Sequence, residues 1–483
     1  MTTPKLAVWP ALALAAGCTM IPHYQRPDPA VASHYDVSST AQTPGPLAAD
    51  IDWRDYYTDA RLQKLIAMAL ENNRDLRVAI LNIESARAQY RIQRADLLPT
   101  LSASASGSIQ RLPADVSTTG QAGVTRSYSV GGVASYELDL FGRIRSLSEQ
   151  ALQSYLATAE TRKAAQISLI AEVANAWLTL QADQDLKALT ANTLLNQQAS
   201  LKITESSYRN GVASLLDLRQ AQTSVQTAQV NLAQYDRQVR QDVNALTLLV
   251  GAPLSADLVA PETLAALKLD ENLPAGLPSD LLTRRPDVMS AEHRLLAQNA
   301  NIGAARAAFF PRIALTASGG TASASLRDLF DPGSAAWSFG PSITVPIFDY
   351  GRNRANLAVA KVNRDIAVAT YQKTIQTAFR EVSDALDGRV TWAQEESAQR
   401  QLVEASQSAY DLSDERYRQG VDDYLNVLVN QRSLYDAQQN LIKIQLSRMS
   451  NTVDLYRALG GGWAEPAVEA AAENGSKPHA QVE

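Results

Sequence analysis

Two hydrophobic periods alternate along this chain, and each occurs in both halves. From Arg143 to Asn210 there is neither Gly nor Pro, and Ile167, Ile170, Ala174 and Trp177 step by three and four positions. That spacing places apolar side chains on one helical stripe. A continuous helix over this stretch would reach about 100 Å. Gly211 breaks the run, and Val212 to Val250 is again free of Gly and Pro. The same pair recurs around Gly420, with Gly388 inside its first member as a candidate bend. Two very long antiparallel helices joined by a tight turn are predicted in each half.

Ahead of each helical pair the period falls to two. Trp337, Phe339, Ile343, Val345 and Ile347 are apolar on one parity, against Ser338, Gly340, Ser342 and Thr344 on the other. Tyr128, Val130, Ala134, Tyr136, Leu138 and Leu140 do likewise, against Ser127, Ser129, Ser135, Glu137 and Asp139. Their partners begin after Pro99 and Pro311, as the small-residue stretches SASASGSIQ and ALTASGGTA. Alternation over roughly 9 to 11 residues suits strands of an outer-membrane barrel. It is equally what two hairpins of a soluble sheet would show.

The recurrence is a tandem repeat. Tyr208 to Val212 (YRNGV) returns as Tyr417 to Val421 (YRQGV), and Glu172-Val173, Gly142-Arg143 and Leu249-Val250-Gly251 meet their counterparts at the same offset of 209 residues. Upstream, Asp75, Pro99 and Ser106-Gly107 match Asp287, Pro311 and Ser318-Gly319 at an offset of 212, so the hairpin between them changes length by three. The chain therefore divides into residues 62–251 and 281–460 as repeats. A linker at 252–280, an N-terminal extension at 18–61 and a tail at 461–483 complete it, the tail's Ala and Glu content predicting disorder.

Residues Leu6 to Gly17 form an apolar run behind Lys5, too short for the roughly 20 residues of a membrane-spanning helix, and Cys18 follows at once. This reads as a secretory signal at 1–17. Ala15-Ala16-Gly17-Cys18 resembles a lipoprotein cleavage box, which makes Cys18 the candidate lipidation site, and Thr19 rather than Asp after it points outward in that pathway. No later segment can span a bilayer as a helix. If the mature chain crosses a membrane, it does so with strands closed into a barrel.

Composition removes other classes. With 44 basic and 50 acidic side chains the net charge is -6, which argues against a nucleic-acid partner. One cysteine excludes a disulfide framework, and four scattered histidines, His23, His34, His293 and His479, have no metal-ligand spacing. Gly131-Gly132 and Gly319-Gly320 lie in predicted strands with no phosphate-binding helix after them. Trp177, Trp392 and His293 read as packing or solvent-facing helical residues. No catalytic constellation, metal site or cofactor site emerges, so an enzyme is not expected.

Two strands per repeat give four per chain, whereas single-chain barrels close with at least ~8. Several copies must share one cylinder: three close a barrel of twelve strands, and two are the minimal alternative. The predicted class is an α+β membrane protein with an internal tandem repeat, its strands in an outer-membrane β-barrel shared between copies, 12-stranded if trimeric, and its long helices extending the same tube into water.

At this point the residues resemble the outer membrane efflux protein family, the TolC-like channels, and particularly its lipoprotein branch associated with RND pumps (NodT-type). The resemblance is carried by Cys18, Tyr24-Gln25-Arg26-Pro27, Trp53-Arg54-Asp55-Tyr56-Tyr57 with Asp59, Leu62 and Leu65, Tyr136 to Arg143 (YELDLFGR), Arg285-Pro286-Asp287-Val288 and the two Tyr-Arg-x-Gly-Val turns. It covers about Cys18 to Gly460. It implies a homotrimeric, lipid-anchored channel in the outer membrane of a Gram-negative bacterium, with its helical barrel and closable tip in the periplasm. The implied partners are a periplasmic adaptor protein and an inner-membrane, proton-driven RND transporter. The cargo would be drugs or other toxic small molecules.

The turns at Gly211 and Gly420 would form that tip. Asp217 and Tyr417 match family gate positions, while Asp422 and Asn426 depart from the best-known member and put its inner salt links in doubt. Gly420-Val421-Asp422 matches the lipoprotein branch, which carries an acidic ring. Asp422 and Asp423, repeated threefold around a neck, would favour cations, and Arg416 or Arg418 would hold the closed form by pairing. The plainer reading stays open: Ser214 to Asp217 resembles a capping box, and Asp422 or Asp423 would cap the helix that starts near Tyr424. The alternatives to a drug-efflux duct are a protein-secretion or metal-export duct, and a soluble periplasmic helical scaffold.

Overall fold

The computed structural model describes residues 19–29, 31–32, 35, 47–117, 120–267, 269, 273–274 and 280–463. Cys18, the signal segment and the tail from Ala464 lie outside the described residues. The chain falls into two compact units, one of Met1–Asp28, Asn82–Ala159 and Ser290–Gln372, the other of Pro29–Leu81, Glu160–Met289 and Lys373–Glu483. Elements run in the same order twice. The first half holds α1 (Trp53–Tyr56), α2 (Ala60–Asn72), α3 (Arg74–Ala95), β1 (Thr100–Leu112), β2 (Gly123–Leu138), α4 (Arg143–Arg209) and α5 (Leu215–Val250). The second holds α6 (Leu281–Arg284), α7 (Pro286–Ala307), β3 (Arg312–Ser323), β4 (Ala335–Thr344), α8 (Arg352–Arg418) and α9 (Tyr424–Ala458). No helix among the described residues is long and apolar enough to cross a membrane.

All four strands form one antiparallel sheet in the order β1-β2-β3-β4. The two hairpins meet because β2 pairs with β3, Tyr128 opposite Ser323 and Leu138 opposite Ile313. β1, β2 and β3 run for 13, 16 and 12 residues, longer than alternation predicted, because backbone pairing continues past the alternating positions to Leu112 opposite Gly123. β4 stops at Thr344, short of Val345 and Ile347. Pro346 follows, and it has no N–H for a ladder. β2 likewise ends before Leu140, because Asp139 turns away to accept hydrogen bonds from the Ile144 and Arg145 N–H groups at the start of α4. Asp349 does the same for Asn353 at the start of α8. Gly142 and Gly351 adopt φ of 72° and 81° at these two corners, where a side chain would strain the backbone.

The second unit is built on the long helices. Trp177, Leu178 and Leu180 of α4 are buried with Leu62, Leu65 and Ile66 of α2 and Leu246 of α5. Tyr56 stacks on Tyr456 with ring centroids 3.9 Å apart, and Tyr57 meets both edge-on. The Arg-Pro-Asp-Val stretch has a structural task here: the buried Arg285 donates to Asp287 at 2.6 Å, to Glu381 at 2.9 Å and to the Ala458 carbonyl at 2.9 Å. α8 is continuous through Gly388, which is not a break. A Cβ there would lie 2.3 Å from the Asn451 side-chain oxygen, so the glycine lets α9 approach closely.

Glycine has a similar role in the sheet. A Cβ on Gly320 would sit 2.1 Å from the Val130 carbonyl oxygen, whereas one on Gly132 would meet nothing nearer than 3.9 Å. Gly320→Val is therefore expected to break the β2–β3 pairing, a cost at or above the ~1–3 kcal/mol of ordinary overpacking, and Gly132→Ala to be tolerated. Comparing heat-resistant folded bands and strand circular dichroism of the two variants checks this.

Candidate functional site

Two features hold the candidate residues: the four-stranded sheet and the two helical turns. The strand registers place directly opposed residues on a common face. One face collects Leu101, Ala105 and Ile109 of β1, Tyr128, Val130 and Tyr136 of β2, Ile313 and Leu315 of β3, and Trp337, Phe339 and Ile343 of β4. The other face is a field of hydroxyls, in which Ser106 meets Ser129 at 2.8 Å and Ser318 meets Ser338 at 2.7 Å. The apolar face is uncovered in the single chain, with Trp337 83 % and Leu101 81 % exposed. Among the described residues, the outer sides of β1 and β4 have no strand partner. The sheet therefore has one apolar side, one hydroxyl-rich side and two outer edges.

The turns belong to the second unit and are built alike. Gly211 and Gly420 have φ of 75° and 73°. In each turn the next residue closes back on the helix it leaves, Val212 N–H to the Ser207 carbonyl and Val421 N–H to the Arg416 carbonyl, both at 2.9 Å. This left-handed glycine cap ends α4 and α8 in the same way. The following helix starts then differ. Ser214 caps α5 in a reciprocal box with Asp217: its hydroxyl accepts from the Asp217 N–H at 3.1 Å, and the Asp217 carboxylate accepts from the Ser214 N–H at 2.9 Å. Asp423 stands at the start of α9, exposed, with no side-chain capping bond.

The remaining candidates fall around this second turn. Arg416 donates to Asp422 through two nitrogens at 2.6 and 3.0 Å, and this bond holds the Asp422 carboxyl below its ordinary range. Arg418 instead pairs with Asp414 at 2.7 Å, one helical turn back. Asp414 was missed from sequence, although its i, i+4 spacing to Arg418 was visible. Tyr417 packs on Tyr424 with ring centroids 5.2 Å apart, beside a cluster of Ala221, Val427 and Leu428 with Leu201 and Tyr410. Burial, and then the nearby Asp217 carboxylate, raise the Tyr417 hydroxyl above its usual range. Asp217 and Tyr417, from the two repeats, thus share one site. Tyr410 and Tyr424 also escaped the sequence reading, and only the seven-residue interval from Tyr410 to Tyr417 hinted at a common face. Trp177 is buried and His293 bonds Gln153 through Nδ1 at 2.7 Å, both as parts of helix packing.

A duplicated strand-hairpin and helix-hairpin unit with an amphipathic sheet marks the class: an outer-membrane channel protein. The chain belongs to the outer membrane efflux protein family, whose model matches residues 65–252 and again 277–461. It is 51% identical over 469 residues to the probable efflux pump outer membrane protein TtgC of Pseudomonas putida, covering 96% of this chain and 97% of that one. It is 47% identical over 456 residues to the outer membrane protein OprJ of Pseudomonas aeruginosa, covering 94% and 95%. Among solved structures, the open state of the Neisseria gonorrhoeae MtrE outer membrane channel aligns with a TM-score of 0.83 at 43% identity, over 92% of this chain and 99% of that one.

Ser214→Ala removes the hydroxyl of the capping box and is expected to cost ~0.5–2 kcal/mol. The loss should be local, read as faster amide exchange over Leu215 to Gln220 with the α9 start unchanged.

Proposed function

We propose that this chain is the outer-membrane exit duct of a tripartite efflux system, three copies closing twelve strands around a water-filled lumen. The supporting observation is the sheet, which has one apolar face, one hydroxyl face and two unpaired edges. In lipid an unpaired edge costs several kcal/mol per orphaned group. Pairing β1 of one copy with β4 of the next removes every such edge, with the aromatic side outward and the serines toward water. The helices continue the duct into the periplasm, and an adaptor protein and an RND transporter supply its cargo. Names of relatives such as the toluene efflux pump protein TtgC of Pseudomonas putida favour small toxic organic compounds over proteins or metal ions as that cargo. Lipidation of Cys18 anchors the N-terminus, and the chain is organised as the repeats 62–251 and 281–460.

In this reading the turns at Gly211 and Gly420 narrow the periplasmic end. Asp422 and Asp423, three of each around the axis, set its negative charge. The Arg416–Asp422 bond within each copy neutralises part of that ring, leaving Asp423 as the free carboxylate. Asp217 acts as a cap and as the neighbour of Tyr417, and Arg418 is engaged by Asp414.

Two measurements test the proposal. Detergent-solubilised protein should have three times the mass of the mature chain and should insert into planar bilayers as a conducting pore, and a monodisperse single subunit in plain buffer would overturn it. Replacing Asp422 and Asp423 with Ala should lower cation selectivity and alter single-channel conductance, and unchanged values would remove both residues from the gate.

A further inference from the structure

Away from both features, the second unit holds two carboxyls against each other. Asp183 of α4 is 6% exposed, and its side chain shares a hydrogen-bond contact with Asp242 of α5. Asp183 Oδ2 and Asp242 Oδ2 are both buried without a donor. Two ionised carboxylates are acceptors only, so this contact needs a proton between them. Among the described residues, the neighbouring cations are engaged elsewhere. Gln238 donates to Asp183, and Tyr235 faces it from α5. Lys187 and Arg240 are engaged by Asp236 at 2.6 and 2.8 Å. Asp185 accepts from the Leu264 N–H, Gln181 from the Glu262 N–H, and the Tyr435 hydroxyl of α9 meets Thr190 at 2.7 Å.

We propose that Asp183 and Asp242 form a proton-operated latch between α4 and α5, in which one shared proton fastens the helices and its loss loosens them. Burial is the main cause that pushes the Asp183 carboxyl up to about 7, and the Asp242 contact adds to it. The sign follows from proton counting. Between the unfolded carboxyl range near pH 4 and about pH 7 the folded chain holds a proton that the unfolded chain has lost, so stability falls as pH rises through that window and levels off above it. The periplasm takes its pH from outside the cell, so the latch would respond to the external medium.

Full-length protein in detergent tests this through thermal unfolding between about pH 5 and pH 9, and through infrared difference spectra over the same range. The expected result is a Tm that declines by several degrees up to about pH 7 and then flattens, with loss of a buried protonated-carboxyl band. In Asp242→Asn the amide donor replaces the shared proton and most of the decline should vanish, while Asp236→Asn, which breaks only the surface pairs with Lys187 and Arg240, should keep it. An unaltered slope in Asp242→Asn overturns the latch. If that variant does not fold, absence of the carboxyl band in the wild-type protein overturns it equally. None of these outcomes depends on trimer mass or conductance, so failure here leaves the channel reading standing.

Discussion

A sheet of four strands has two edges, and hydrocarbon offers neither edge a partner. This constraint organises the rest of the structure. The strands are amphipathic in the sense a barrel wall requires, with Leu101, Tyr136, Ile313 and Trp337 on one face and a serine field on the other. Among the described residues the sheet is open at β1 and β4. In the proposed assembly additional copies close it, because an open strand edge within lipid needs another strand as its partner. The tandem repeat belongs to the same logic: each half contributes one hairpin to the wall and one long helical pair.

The two helical turns show what duplication keeps and what it releases. Both retain a glycine at positive φ and the same backbone closure, since any side chain there would strain the chain reversal. The residues after it have diverged. The first turn has a reciprocal Ser214–Asp217 cap that needs no other role to explain it. The second has Asp423 without a capping bond and Asp422 engaged by Arg416. Two chemically similar acidic turns therefore bond differently, one through a reciprocal helix cap and the other through an arginine on the preceding helix.

Buried polar groups recur where helices must meet in a fixed register. Arg285 collects Asp287, Glu381 and the Ala458 carbonyl, and Glu396 collects Arg400, Gln445 and Arg448. Breaking such a network strands a buried charge, at a cost of about 3–5 kcal/mol. The Asp183–Asp242 contact stands apart, since its members carry the same sign and only a proton reconciles them.

Local chemistry in the sequence determined the elements themselves. Long stretches without Gly or Pro become helices, period-two segments become strands, and the glycine turns stand where the repeat comparison placed them, because each of these depends on neighbours a few residues away. The tertiary structure alone decided what meets across the chain. It joined β2 to β3 although all of α4, α5, α6 and α7 intervene. It turned Gly388 from a candidate bend into a contact with Asn451, brought Arg285 to Glu381, and set Asp183 against Asp242. Those outcomes follow from which helical face lands on which neighbour, and a residue's own sequence surroundings do not contain that information.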